Sequence, residues 1–71
     1  MDRTPVTSSS LASVGYSRTQ ATLEVEFNHG AVYRYRDVPA GVFEALLAAE
    51  SKGSFFNHVV KDCYSYQRVS C

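Results

Sequence analysis

The sequence predicts an α+β fold: a three-stranded antiparallel meander packed against two helices, with the C-terminal tail as a candidate edge strand. Three observations carry this. Strict alternation of apolar and polar residues over 22–27, and again over 31–36, marks two neighbouring strands. An apolar stripe at helical spacing follows from Val42 to Leu47. Finally, 45% hydrophobic and 20% charged residues in a chain of 71 describe a globular chain with room for one small core, so a single domain over 1–71, with its core at about 5–69, is expected.

Residues 1–10, rich in Thr and Ser, form a polar lead-in that frays unless a strand captures it. Val14 and Tyr16 at period two predict a first strand over 11–16, ended by the polar turn Ser17-Arg18-Thr19-Gln20. In the second strand Leu23, Val25 and Phe27 alternate with Thr22, Glu24 and Glu26; the third runs Ala31-Val32-Tyr33-Arg34-Tyr35-Arg36. The loop between them decides which faces meet. A two-residue turn at His29-Gly30 sets Val25 opposite Arg34 and mixes the core. A three-residue loop with Gly30 at the left-handed position sets Val25 opposite Tyr33, Leu23 opposite Tyr35 and Glu24 opposite Arg34. This second register separates apolar from charged residues and pairs opposite charges, each such pair contributing about 0.2–1 kcal/mol, so it is the one expected. It places Tyr33 and Tyr35 on the core face, where core aromatics whose hydroxyls reach the rim are the leading reading and a base-stacking platform the alternative.

Pro39 suits the first turn of a helix, where its missing N–H has no partner to lose. Val42, Phe43, Leu46 and Leu47 give that helix an apolar stripe through about Glu50. Ser51 can cap a second, shorter helix over about 52–61, with Phe55, Phe56, Val59 and Val60 on one side and Gly53 weakening its start. The tail from Cys63 to Val69 alternates again, and either adds a strand to the sheet edge or lies across it.

Seven Lys and Arg balance seven Asp and Glu, four of each sign over 1–37 and three of each over 38–71, so neither half is a basic arm. A phosphate-binding face could arise only by folding sorting these charges. No run of 18 apolar residues occurs and the N-terminus lacks a signal-peptide core, so no membrane association and a cytoplasmic location are expected.

Enzyme motifs are missing: there is no glycine-rich phosphate loop, no Gly-x-Ser-x-Gly elbow and no His-Glu-x-x-His. His58 and Cys63 form the remaining candidate base and thiol, but such a pair also needs an oxyanion site and a cleft. Cys63 and Cys71 match neither a redox Cys-x-x-Cys nor paired zinc-ligand spacing, and even with His58 they supply only three ligands. No catalysis, metal or cofactor is expected. His29 reads as a solvated turn residue. Ser51, Lys52 and Gly53 at a helix start could receive an anion, although a Ser cap beside a solvated Lys is the simpler reading.

Read together, Ser10-Leu11-Ala12-Ser13-Val14-Gly15-Tyr16, Leu23-Glu24-Val25-Glu26-Phe27, Gly30, Tyr33-Arg34-Tyr35, Val38-Pro39, Leu46, Ser51-Lys52-Gly53, Phe56-Asn57 and Tyr64-x-Tyr66 fall in an order that resembles the KTSC domain, over roughly residues 5–69. Tyr33-Arg34-Tyr35 matches that family's central Tyr-x-Tyr. The resemblance implies a short module that stands alone in bacterial proteins or is appended to lysyl-tRNA synthetase, and for which RNA is the suggested ligand. With no synthetase catalytic segment in this sequence, a free-standing binding module is expected. The residues expected to meet RNA are Tyr33, Arg34, Tyr35 and Arg36 on the third strand, Lys52 and Asn57 around the second helix, and Tyr64, Tyr66 and Arg68 in the tail. Aromatics would stack on bases and basic groups would meet phosphates. The competing expectation, favoured by zero net charge, is a protein-interaction module that offers a sheet edge or the tail to a partner strand or to itself, with its oligomeric state open.

Overall fold

The computed structural model describes residues 3–69 and extends the expected meander at both ends. Five strands, β1 (Thr4–Pro5), β2 (Leu11–Ser17), β3 (Thr22–Phe27), β4 (Val32–Tyr35) and β5 (Tyr66–Arg68), form one antiparallel sheet in the order β1-β2-β3-β4-β5. The expected three strands, with the tail as a possible edge strand, are therefore corrected to five: the tail does add β5, and β1 was not foreseen. The lead-in is captured because Val6 packs against the core and its N–H donates to the Ala12 carbonyl at 3.1 Å. The tail is captured because Tyr66 lies opposite Tyr35 and stacks on Tyr33.

The central hairpin has the three-residue loop. Leu23 faces Tyr35, Glu24 faces Arg34 and Val25 faces Tyr33. The Phe27 N–H donates to the Ala31 carbonyl, the Gly30 N–H donates to the Phe27 carbonyl, both at 2.9 Å, and Gly30 sits at φ +102°, where a side chain would be strained. Between β2 and β3 the pairing slips one residue around Ala12, so Leu11 meets Phe27 while Ser13 meets Glu26. The β2–β3 turn ends with Ala21 at φ +52°, and its carbonyl accepts the Val38 N–H at 2.8 Å, fastening the segment after β4 to this turn. The Tyr16 hydroxyl donates to the Val38 carbonyl from the other side.

Helix α1 (Ala40–Ala48) follows, with Pro39 at its N-cap rather than inside its first turn. Leu46 is fully buried, and Val42 and Phe43 pack partly against the core, but Leu47 is 38% exposed although the apolar stripe had included it. Helix α2 (Lys52–Phe55) starts at the Ser51 cap, whose hydroxyl accepts the Ser54 N–H at 3.3 Å. It passes into a π turn, Phe56–Val60, where a regular helix to 61 was expected; the Lys61 N–H reaches back to the Phe56 carbonyl at 2.9 Å. Gly53 has a packing reason, since a Cβ there would lie 3.1 Å from the Ser10 hydroxyl oxygen.

The core forms between the sheet and the helical layer: Leu11, Val14, Leu23, Val25, Tyr35, Val38, Leu46, Phe56 and Val60. On the opposite sheet face Glu24 is only 5% exposed. Its carboxylate receives Arg34 Nε at 2.7 Å and Arg3 at 3.4 Å. Gly15 lies directly across from Glu24, and Arg3 comes one residue before Thr4, which pairs with Val14. Among the described residues no helix is long and apolar enough to cross a membrane.

Candidate nucleic-acid interface

Pairing of β4 with β5 brings several of the expected contact residues to one sheet edge. Tyr33 faces Arg68, Arg34 faces Gln67, and Tyr35 faces Tyr66. Because alternate residues point to opposite faces, Tyr33, Tyr35, Tyr66 and Arg68 share the helix side, while Arg34, Arg36 and Gln67 share the other.

On the helix side the rings close a circuit. Phe27 meets Tyr33 edge-on at 5.5 Å, Tyr33 stacks on Tyr66 at 5.3 Å, and Tyr66 tilts against Tyr35 at 5.4 Å. Tyr35 and Phe27 each meet Phe56 edge-on at 5.3 Å. Exposure changes sharply around this circuit: Tyr35 is 2% exposed, Tyr33 half-buried, and Tyr66 58% exposed. Burial pushes the Tyr35 hydroxyl up to about 12, reinforced by Tyr66, Tyr33 and Asp62. At the hairpin tip the exposed His29 ring lies parallel to Phe27 at 5.7 Å, so His29, Phe27, Tyr33 and Tyr66 form an aromatic row that is open at both ends.

The basic groups divide. Arg68 is exposed beside this row. Arg36 is also exposed and donates from Nη2 to the Gln67 side-chain oxygen at 3.3 Å. Arg34 is committed to the buried Glu24, so its first role is to neutralise that carboxylate. Lys52 lies away from this edge, donating to the Ala49 carbonyl at 3.1 Å beside an open cleft of about 310 Å³ lined by Thr7, Ser8, Ser9, Glu50 and Ser51. Asn57 is exposed in the π turn, and Tyr64 is half-buried against the core. The expected set is thus brought together as Tyr33, Tyr35, Tyr66 and Arg68 on one face and Arg34 and Arg36 on the other, with Lys52, Asn57 and Tyr64 outside it.

Sequence reasoning missed His29 and Phe27 as part of the row. The chosen hairpin register already placed Phe27 diagonal to Tyr33 on one face, and that was the available signal. Elsewhere, His58 turns Nδ1 to the Ser54 carbonyl at 2.8 Å, and Cys63 is an exposed free thiol. Among the described residues no three His, Cys, Asp or Glu side chains gather as a metal site; Cys71 lies outside those residues.

The KTSC domain profile matches residues 7–69 of this chain. The chain belongs to the KTSC domain family. The crystal structure of a KTSC domain protein from Yersinia pestis superposes with a TM-score of 0.92 at 34% sequence identity, over 97% of each chain. An uncharacterized protein of Stutzerimonas stutzeri is 51% identical over 70 residues, which make up 97% of this chain and 99% of that protein. A lysine–tRNA ligase of Trichormus variabilis is 42% identical over 55 residues, 78% of this chain but 10% of the ligase. The KTSC similarity therefore runs the length of the first two proteins and occupies a small part of the third.

Proposed function

We propose that this KTSC domain is a non-catalytic module that binds single-stranded or loop regions of RNA, tRNA among them, at the β4–β5 edge. The observation that carries this is the exposed Tyr66 ring stacked on Tyr33 beside the exposed Arg68. A sheet that presents aromatic faces next to a guanidinium offers unpaired bases a stacking surface and their phosphates a counter-charge. His29 extends the surface at one end, and Arg36 supplies a second cation from the opposite face. Similarity to part of a lysine–tRNA ligase supports the choice of RNA as ligand.

The test is a titration of isotope-labelled protein with a mixed tRNA pool at low salt, repeated at high salt and read by amide shifts. Binding through this surface moves the resonances of His29, Tyr33, Arg36, Tyr66 and Arg68 and fades as salt rises. No shifts at high RNA concentration and low salt would sink the proposal. Tyr66→Ala should weaken binding by the equivalent of about 1–3 kcal/mol, the range for one base–aromatic stack.

A second reading, strand addition by a protein at the same edge, is favoured by the zero net charge and by the exposed strand β5. Binding of that kind persists in high salt, because it rests on main-chain hydrogen bonds.

A further inference from the structure

Among the described residues the two outer edges of the sheet are built differently. At β1 the Val6 N–H bonds inward to Ala12, and Thr4 pairs with Val14 two residues back along the ladder. By the alternation of an antiparallel ladder, the outward position between them belongs to Pro5, which has no N–H to offer. This edge is blunted. At β5 the Arg36 N–H donates to the Ser65 carbonyl and the Val69 N–H donates to the Val32 carbonyl, both at 2.8 Å. Inward bonding therefore falls on Ser65, Gln67 and Val69, and the N–H and C=O groups of Tyr66 and Arg68 point away from the sheet. All three β5 residues are exposed.

We propose that β5 pairs antiparallel with β5 of a second copy about a two-fold axis at Gln67, joining the two sheets edge to edge. The inference rests on the open-edge reading above and is independent of RNA. Its register follows from charge and hydrogen bonding. With Gln67 opposite its own copy, Tyr66 faces Arg68 of the other chain, so each guanidinium lies beside a tyrosine ring and the outward main-chain groups of both residues bond in pairs. Moving the axis to Arg68 sets two guanidinium groups opposite each other, which is repulsive. Moving it to Tyr66 sets Arg68 against Tyr64, which lies outside β5 and packs against its own core. A one-residue slip aims the outward groups at positions whose bonds are already used within their own sheet. The Gln67 axis alone satisfies both conditions. Because the contact uses the same patch on both chains and the β1 edge is blunted, it closes at a dimer rather than growing into a fibre.

The experiment compares the full chain, in a Cys63→Ser, Cys71→Ser background, with a synthetic version N-methylated only at Arg68. Methylation removes one outward N–H from each copy and leaves the inward ladder intact. Sedimentation should show a reversible dimer at millimolar concentration, and methylation should raise its dissociation constant by at least about tenfold without altering the fold. In the unmethylated chain, amide exchange at Tyr66 and Arg68 should slow as concentration rises. A chain that stays monomeric at millimolar concentration, or a dimer indifferent to the methyl group, overturns the proposal. In that case fast exchange at both amides leaves strand addition by another protein standing. Protection of those amides in the dilute monomer means the edge is already occupied, and both readings fall.

Discussion

Arg34 lies at the centre of the family's Tyr-x-Tyr, yet its guanidinium is turned to Glu24, whose side chain is only 7% exposed. Removing it leaves the buried carboxylate, among the described residues, with the longer Arg3 contact. Arg34→Ala should therefore destabilise the fold by about 1–3 kcal/mol, less than the roughly 3–5 kcal/mol for breaking a fully buried pair, because Arg34 itself is half exposed. Urea denaturation checks this, and adding Glu24→Gln should recover part of the loss. Ala21 is strained at φ +52°, and Ala21→Gly should stabilise by about 0.5–1 kcal/mol, measured in the same way. Asp37 at φ +57° tolerates that region better and should respond less to Gly. Tyr35 carries a pH dependence. Its hydroxyl is raised to about 12 in the folded chain from 10.0, so the folded state favours the protonated form. The associated stability is complete below pH 10.0 and is lost as pH rises through about 12, a decline that Tyr35→Phe should remove from the denaturation midpoint plotted against pH.

The hairpin of β3 and β4 was the most legible element, because only one loop length puts Leu23, Val25 and Phe27 with the tyrosines and Glu24 with Arg34. The capped start of α2 was legible for a similar reason, since a Ser hydroxyl before a helical run has one inexpensive use. What escaped had no pattern to read. Thr4–Pro5 is too short for periodicity and is held by neighbouring backbone bonds and by Val6. A π turn and an α turn also draw on the same apolar spacing over five residues. Of the candidate site, the tyrosines on β4 and β5 were legible as residues, but their closure into a circuit depends on β5 docking, and the sequence left that docking open. The strand β5 is held by its ladder to β4 and by Tyr66. Tyr66→Ala should cost about 0.5–1.5 kcal/mol of stability through lost ring contacts, visible as a lower thermal midpoint, and should speed exchange at the Arg36 amide that bonds to Ser65.

At the scale of the molecule the balanced charge limits what RNA binding can look like. If Arg36 and Arg68 are the cations that meet phosphate, the logarithm of affinity should fall against the logarithm of salt with a slope of about −1.4, far shallower than for a basic domain. A slope several times steeper would mean that other cations take part and that the contact surface extends beyond the β4–β5 edge. The strand order follows the chain order, so the first and last strands occupy opposite edges and both helices are inserted in the single connection between β4 and β5. The ring circuit spans that connection, joining Phe27 and Tyr33 before it to Phe56 within it and Tyr66 after it. The chain contains no Trp and five Tyr, and Tyr33, Tyr35 and Tyr66 lie ring against ring. Their phenol transitions are close enough to couple, so the near-ultraviolet circular dichroism of this protein is in large part an optical signal of whether the last strand is seated, readable without any label.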